Sequence, residues 1–112
     1  MSQMSKRIER NLNELPAIGD TDGTKGDLPA VYIFTPDAQA TWVVWEYDAD
    51  TKEGFGMADL GMGFPELGYV SIDELLQLRG PFGLEVETDT RLNTRFKGYR
   101  NANIDIPDYL EA

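Results

Sequence analysis

The 112-residue chain contains no cysteine and no histidine. The first absence removes disulfides, thiolate metal sites and cysteine nucleophiles. The second removes the commonest metal ligand and the side chain most often used as a general base near neutral pH. Basic residues are scarce too: ten Lys and Arg stand against twenty Asp and Glu, a formal charge of −10. That balance opposes direct binding to nucleic acid or to an anionic membrane, and suits either solubility or a basic protein partner. No uncharged apolar run reaches the roughly eighteen residues needed to span a bilayer. The start, MSQMSKRIERNLNEL, is polar and lacks an apolar export segment. The expectation is a soluble, cytoplasmic protein without a cofactor.

The chain is 41% hydrophobic and includes two Trp, five Tyr and five Phe, enough for one modest core and no second domain. We divide it into an N-terminal helix and linker over 1–27 and a single α+β domain over 28–112 with an irregular C-terminal tail. Met4, Ile8, Leu12 and Leu15 recur at helical spacing, with Ser2 or Ser5 as N-cap and Pro16 as a stop. This helix either docks on the domain, mediates self-association as a homodimer, or stays a frayed arm. Residues 19–29 mix Gly, Asp, Thr and Pro with no apolar period and read as a flexible linker.

Strands are expected at 30–34, at 41–47, which has the strongest strand signal, and at 54–59, the last two joined as a hairpin. Three glycines and a proline in residues 60–68 predict an ordered, packed loop, and Tyr69-Val70 adds a brief strand. Ser71-Ile72-Asp73-Glu74 has the capping-box form, which starts a helix running to about Arg79 with Gly80 as its left-handed cap. Leu84 to Asp89 alternates apolar with acidic, so Leu84 and Val86 point inward on a last or edge strand. The fold expected is a small, mainly antiparallel sheet of about four strands with one packed helix and an N-terminal helix.

The segments from Phe34 to Ala38 with Ala40 to Trp42, from Asp59 to Ser71, and Arg79 to Pro81 with Gly83-Leu84 together resemble the bacterial domain of unknown function 2958. The resemblance covers about 28–89, the middle segment being the specific one. Both ends depart from it: the start looks like an addition, and Arg91 to Arg100 replaces a short helical end. The resemblance carries no activity over residue by residue. It implies cargo of plasmids, phages and integrated elements, often near antirestriction genes, and so points toward anti-defence or plasmid upkeep.

The charge is laid out unevenly. Residues 37–74 hold nine acids (Asp37, Glu46, Asp48, Asp50, Glu53, Asp59, Glu66, Asp73 and Glu74) and one base, Lys52, whereas residues 91–100 hold four bases and no acid. Glu46, Asp48 and Asp50 are spaced two apart, as are Glu85, Glu87 and Asp89. On extended strands such residues share a face at about 6.6–6.8 Å. DNA presents phosphates about 3.4 Å apart along each strand, so these rows echo every second phosphate loosely. Ordinary solvated acids are the blander reading. Asp59 and Glu66 have the chemistry of an acid/base pair or hard-cation ligands, although nothing completes such a site. Aspartates in loops also cap backbone amides, and Glu66 has Arg79 as a candidate partner. Gly61, Gly63 and Gly68 lack the spacing of a phosphate-binding loop.

Trp42 and Trp45 fall on opposite faces of their strand, so that both are core or one, for instance Trp42, is an exposed interface anchor. Arg91, Arg95, Lys97 and Arg100, with Phe96 and Tyr99, either contact nucleic acid or neutralise the chain's own acids. The leading expectation is a non-enzymatic nucleic-acid mimic that inhibits a bacterial immune effector, such as a CRISPR surveillance complex or restriction nuclease, by occupying its basic groove. The partner surface would comprise Glu46, Asp48, Asp50, Glu53, Asp59, Glu66, Asp73, Glu74, Glu85, Glu87, Asp89 and Trp42. The alternatives are an accessory protein-interaction module of a plasmid or phage, and a small carboxylate- or metal-dependent hydrolase.

Overall fold

The five apolar and aromatic residues between Trp42 and Tyr47 form the middle of β2 (Thr41–Asp48), every residue of which from Trp42 to Tyr47 is buried. In the computed structural model, which describes residues 2–21, 30–61 and 66–88, four further strands assemble around it. They are β1 (Val31–Phe34), β3 (Glu53–Asp59), β4 (Glu66–Ser71) and β5 (Glu87–Thr88), in the antiparallel order β4-β3-β2-β1-β5. With helices α1 (Gln3–Leu12) and α2 (Ile72–Gln77), the fold is α+β, with five strands rather than about four. The brief strand expected at Tyr69-Val70 is a full one, β4, which begins at Glu66 within the segment expected as a packed loop.

The register between β2 and β3 shifts between Val44, opposite Gly56, and Glu46, opposite Phe55. Trp45 is the extra residue of a β-bulge, so Trp45 and Glu46 project from the same face and Tyr47 returns to the other. One face carries Val31, Ile33, Trp42, Val44 and Tyr47, which pack with Ile8 and Leu12 of α1, Ile72, Leu75 and Leu76 of α2, and Val86. The other carries Val43, Trp45 and Met57 with Ala30, flanked by Tyr32 and Phe55. The two tryptophans lie on opposite faces, and both belong to the core.

α1 is docked, not frayed. Ser2 caps it by accepting from the Ser5 amide at 3.0 Å, and Ile8 and Leu12 are fully buried in the larger core. Its end is tied to the sheet by the Tyr47 amide donating to the Pro16 carbonyl at 2.9 Å. The segment expected as a free linker from residue 19 begins under restraint, because Gly19 and Thr21 are bonded to β2; residues 22–29 lie outside the described residues.

Ser71 caps α2 as its motif predicts, accepting from the Glu74 amide at 3.3 Å. Ser71→Ala should cost about 1 kcal/mol in thermal or urea unfolding. The helix ends at Gln77, earlier than expected, and Gly80 is not its left-handed cap: Leu78 is already extended and Arg79 Nη1 closes the end by donating to the Leu76 and Leu78 carbonyls. Gly80 serves a close approach instead, since a Cβ there would sit 1.7 Å from Asp37 Oδ1. The chain turns at once, with Gly80 N–H bonded to the Leu84 carbonyl and Gly83 N–H to that of Gly80. That turn takes Leu84 out of the strand: Leu84 is exposed, contrary to its expected inward position, while Val86 is buried.

Candidate acidic interaction surface

The β2–β3 turn is acidic because aspartates suit it. Asp48 Oδ1 accepts from the Asp50 amide at 2.9 Å and the Thr51 amide at 3.4 Å, the local bonding that favours Asp at turn starts. Lys52 takes a left-handed conformation at φ 56°. The register then sets Glu53 opposite Asp48 on one side and Ser71 on the other. The Ile72 amide donates to the Lys52 carbonyl at 2.9 Å, so the start of α2, with Asp73 in its first turn, abuts the turn. Asp48, Asp50, Glu53 and Asp73 thus share one end of the sheet.

The local cation, Lys52, lies 3.8 Å from Glu9 of α1 and so answers a further acid. The field is felt by Tyr47, whose hydroxyl is held above its usual 10.0 by burial first and then by Glu9, Asp73 and Asp48. A phenol raised in this way stabilises the fold fully below pH about 10 and loses that contribution as the pH rises further. Like charges placed directly opposite each other, as Asp48 and Glu53 are, work against strand pairing. Asp73 needs no such explanation, since an acid in the first turn complements the helix dipole.

The remaining candidates are not part of this end. Glu46 is a correction: it is 1% exposed, turned under the Gly19–Thr21 segment by the bulge. Its carboxylate accepts from the Gly19 amide at 2.9 Å, the Thr21 amide at 3.0 Å and the Thr21 hydroxyl. It is a structural brace, so the row Glu46, Asp48, Asp50 is not a surface row. Trp42 is a second correction, because at 7% exposure under the helices it anchors nothing outside the core. Asp59 and Glu66 share the opposite end of the β3–β4 pair, about 20 Å away along a seven-residue strand. Asp59 caps the Gly61 amide at 2.8 Å.

Arg79, a candidate partner of Glu66, bonds the carbonyls ending α2 instead. Glu85 accepts from the Ser2 hydroxyl at 2.7 Å and precedes the two-residue β5, so it does not form a strand row with Glu87; Asp89 and the basic residues 91–100 lie outside the described residues. Glu74 lines a cleft beside Trp42 and Val70. Sequence reasoning also missed an apolar surface: Leu67 and Tyr69 on β4 and Phe82 in the 80–84 turn are largely exposed. Tyr69 continues an aromatic chain through Phe55 to Trp45, with centroids 5.0 and 6.0 Å apart. Their spacing on a glycine-containing edge strand has no sequence signal that separates exposure from burial.

Among the described residues no helix is long and apolar enough to cross a membrane, and no group of three or more acids is placed to hold a metal ion. The chain belongs to the family described as protein of unknown function (DUF2958), which matches residues 2–102. The N-terminal helix is therefore part of the family pattern, not an addition to it. No curated protein and no solved structure shows significant similarity to the chain.

Proposed function

We propose that the protein is a non-enzymatic binding protein whose acidic end occupies a basic, nucleic-acid-binding groove on a bacterial defence effector, such as a restriction nuclease or CRISPR surveillance complex. The observation that carries this reading is the convergence of Asp48, Asp50, Glu53 and Asp73 from a turn, a strand and a helix start. Separate surface acids would be scattered, whereas here the strand register holds two of them opposite each other at a cost in pairing energy. Charge focused on one end speeds encounter with a cationic groove and makes binding sensitive to salt. The kind of effector follows from the mobile-element setting that the family resemblance implies.

Capture of partners from a bacterial lysate containing restriction and CRISPR systems tests the reading. The wild-type chain is expected to retain a nucleic-acid-binding effector at low salt and release it at high salt. Asp50→Lys with Glu53→Lys, and Asp48→Asn to preserve the turn bonds, should abolish the capture without lowering the melting temperature. A second reading, an accessory module acting through apolar contacts, is favoured by the exposure of Leu67 and Tyr69. It expects a salt-resistant partner indifferent to those substitutions.

A further inference from the structure

β4 is one edge of the sheet, and among the described residues no strand pairs with its outer side. Its pairing with β3 shows which backbone groups face outward. Ile72 stands opposite Lys52 by continuation of the Glu53–Ser71 register, and the Ile72 amide donates to the Lys52 carbonyl at 2.9 Å. Bonded and non-bonded pairs alternate in an antiparallel ladder, so Val70, Gly68 and Glu66 bond inward to β3. The N–H and C=O groups of Leu67 and Tyr69 therefore point away from the sheet. The Phe55–Tyr69 ring contact, with centroids 5.0 Å apart, suits a non-bonded pair, in which side chains stand closer.

Sheet edges are ordinarily guarded by lysine, proline, a bulge or shortness. β4 has none of these guards: its six residues include no Lys or Pro and pair with β3 without a register shift. The opposite edge, β5, is only two residues long. Leu67 and Tyr69, whose backbone groups point outward, are also 57% and 63% exposed. Gly68 between them has nothing within 4 Å of a Cβ, which leaves room for a side chain to lie across it. Charge flanks this apolar middle. Glu66 is exposed at one end, and Glu53, Asp73 and Glu74 are exposed beside Ser71 at the other.

We propose that the outer edge of β4 takes up an extended segment of another protein as a sixth, antiparallel strand, apolar in its middle and carrying Lys or Arg at both ends. Main-chain bonds form at Leu67 and Tyr69, the segment's apolar side chains lie beside those two, and its cations lie beside Glu66 and the Glu53–Asp73 end. A second copy of this chain fits poorly. Antiparallel pairing of two β4 strands brings Glu66 of each against the Ser71–Asp73 end of the other, acid to acid, in a chain of formal charge −10. The site goes beyond the acidic-groove reading, because it requires an extended segment in the partner and no nucleic-acid groove.

Fluorescence anisotropy with a labelled, end-capped peptide, Val-Tyr-Val flanked by two lysines on each side, tests this. The peptide is expected to bind the full chain with its valines opposite Tyr69 and Leu67 and its tyrosine over Gly68. N-methylation of both valines removes the N–H groups that face β4 and should weaken binding by about tenfold or more. N-methylation of the tyrosine, whose N–H faces away, should leave binding intact, and glutamates in place of the lysines should abolish it. Leu67→Lys should weaken binding by about tenfold, with an unchanged melting temperature because the side chain is exposed. Absence of binding, equal loss from either methylation, binding that survives the glutamates, or a Leu67→Lys chain that binds like the wild type would each overturn the proposal. So would a dimer of the chain alone that Leu67→Lys dissolves, since the edge would then belong to a second copy. Displacement of DNA from an effector is independent of this probe, so either site can fail while the other stands.

Discussion

Glu46→Ala is expected to destabilise the fold by about 3–5 kcal/mol, the range for removing one partner of a buried charged hydrogen-bond set. The carboxylate is 1% exposed and holds two backbone amides and a hydroxyl from Gly19 and Thr21. Alanine would leave those donors facing an apolar void beside Trp45. For a chain of this length the loss corresponds to a fall in melting temperature on the order of 15 °C. Glu53→Ala on the same hairpin, where the side chain is exposed, should change stability by no more than about 0.5 kcal/mol. Similar melting temperatures for the two variants would mean that Glu46 does not brace the segment after α1.

Gly56→Ala is the second large effect, and its sign separates geometry from propensity. Alanine is normally favoured over glycine inside a strand by about 0.5–1 kcal/mol, so propensity alone expects a gain. At Gly56, however, a Cβ would stand 1.9 Å from the Val43 carbonyl oxygen and 2.8 Å from the Val44 Cα, both backbone atoms. The clash lies next to the β2 bulge, where the paired strands cannot separate without losing ladder bonds. The expected loss exceeds about 3 kcal/mol, the upper range for ordinary overpacking. Gly68→Ala, on the neighbouring strand with nothing within 4 Å of its Cβ, should be neutral or slightly stabilising. Urea midpoints for the two variants, at constant slope, decide the matter.

These two positions also mark how far the fold is legible in the sequence. The apolar run of β2, the capping box at Ser71 and the helical spacing of Met4, Ile8 and Leu12 express local periodicity, and each element starts where that periodicity puts it, although α1 ends at Leu12, short of Leu15 and the expected stop at Pro16. The bulge at Trp45 is different, because it depends on how β2 and β3 register against each other. A regular strand would set Glu46 on the face of Trp42 and Val44; the extra residue turns it beneath Gly19 and Thr21. The candidate acid row was lost for that reason.

The end of α2 was misread for a related reason. Gly80 followed by Pro81 resembles a helix stop, but the decisive contact is with Asp37, forty-three residues earlier in the chain. Nothing local signals it. The acidic end was partly legible: Asp48, Asp50 and Glu53 are close in sequence, while Asp73 joins them only through the pairing of β3 with β4 and the Ile72–Lys52 bond. Exposure of Phe82 was not legible, because a phenylalanine between Pro81 and Gly83 satisfies turn chemistry whether its ring is packed or free.

Competition for a purified effector tests the central claim most directly. With an effector captured at low salt, its DNA-binding affinity is measured with and without the protein, and again with the Asp48→Asn, Asp50→Lys, Glu53→Lys variant. The account predicts that the wild type displaces DNA, that added salt weakens the displacement, and that the variant leaves DNA binding untouched. Simultaneous binding of DNA and protein, or displacement that survives the three substitutions, would contradict it.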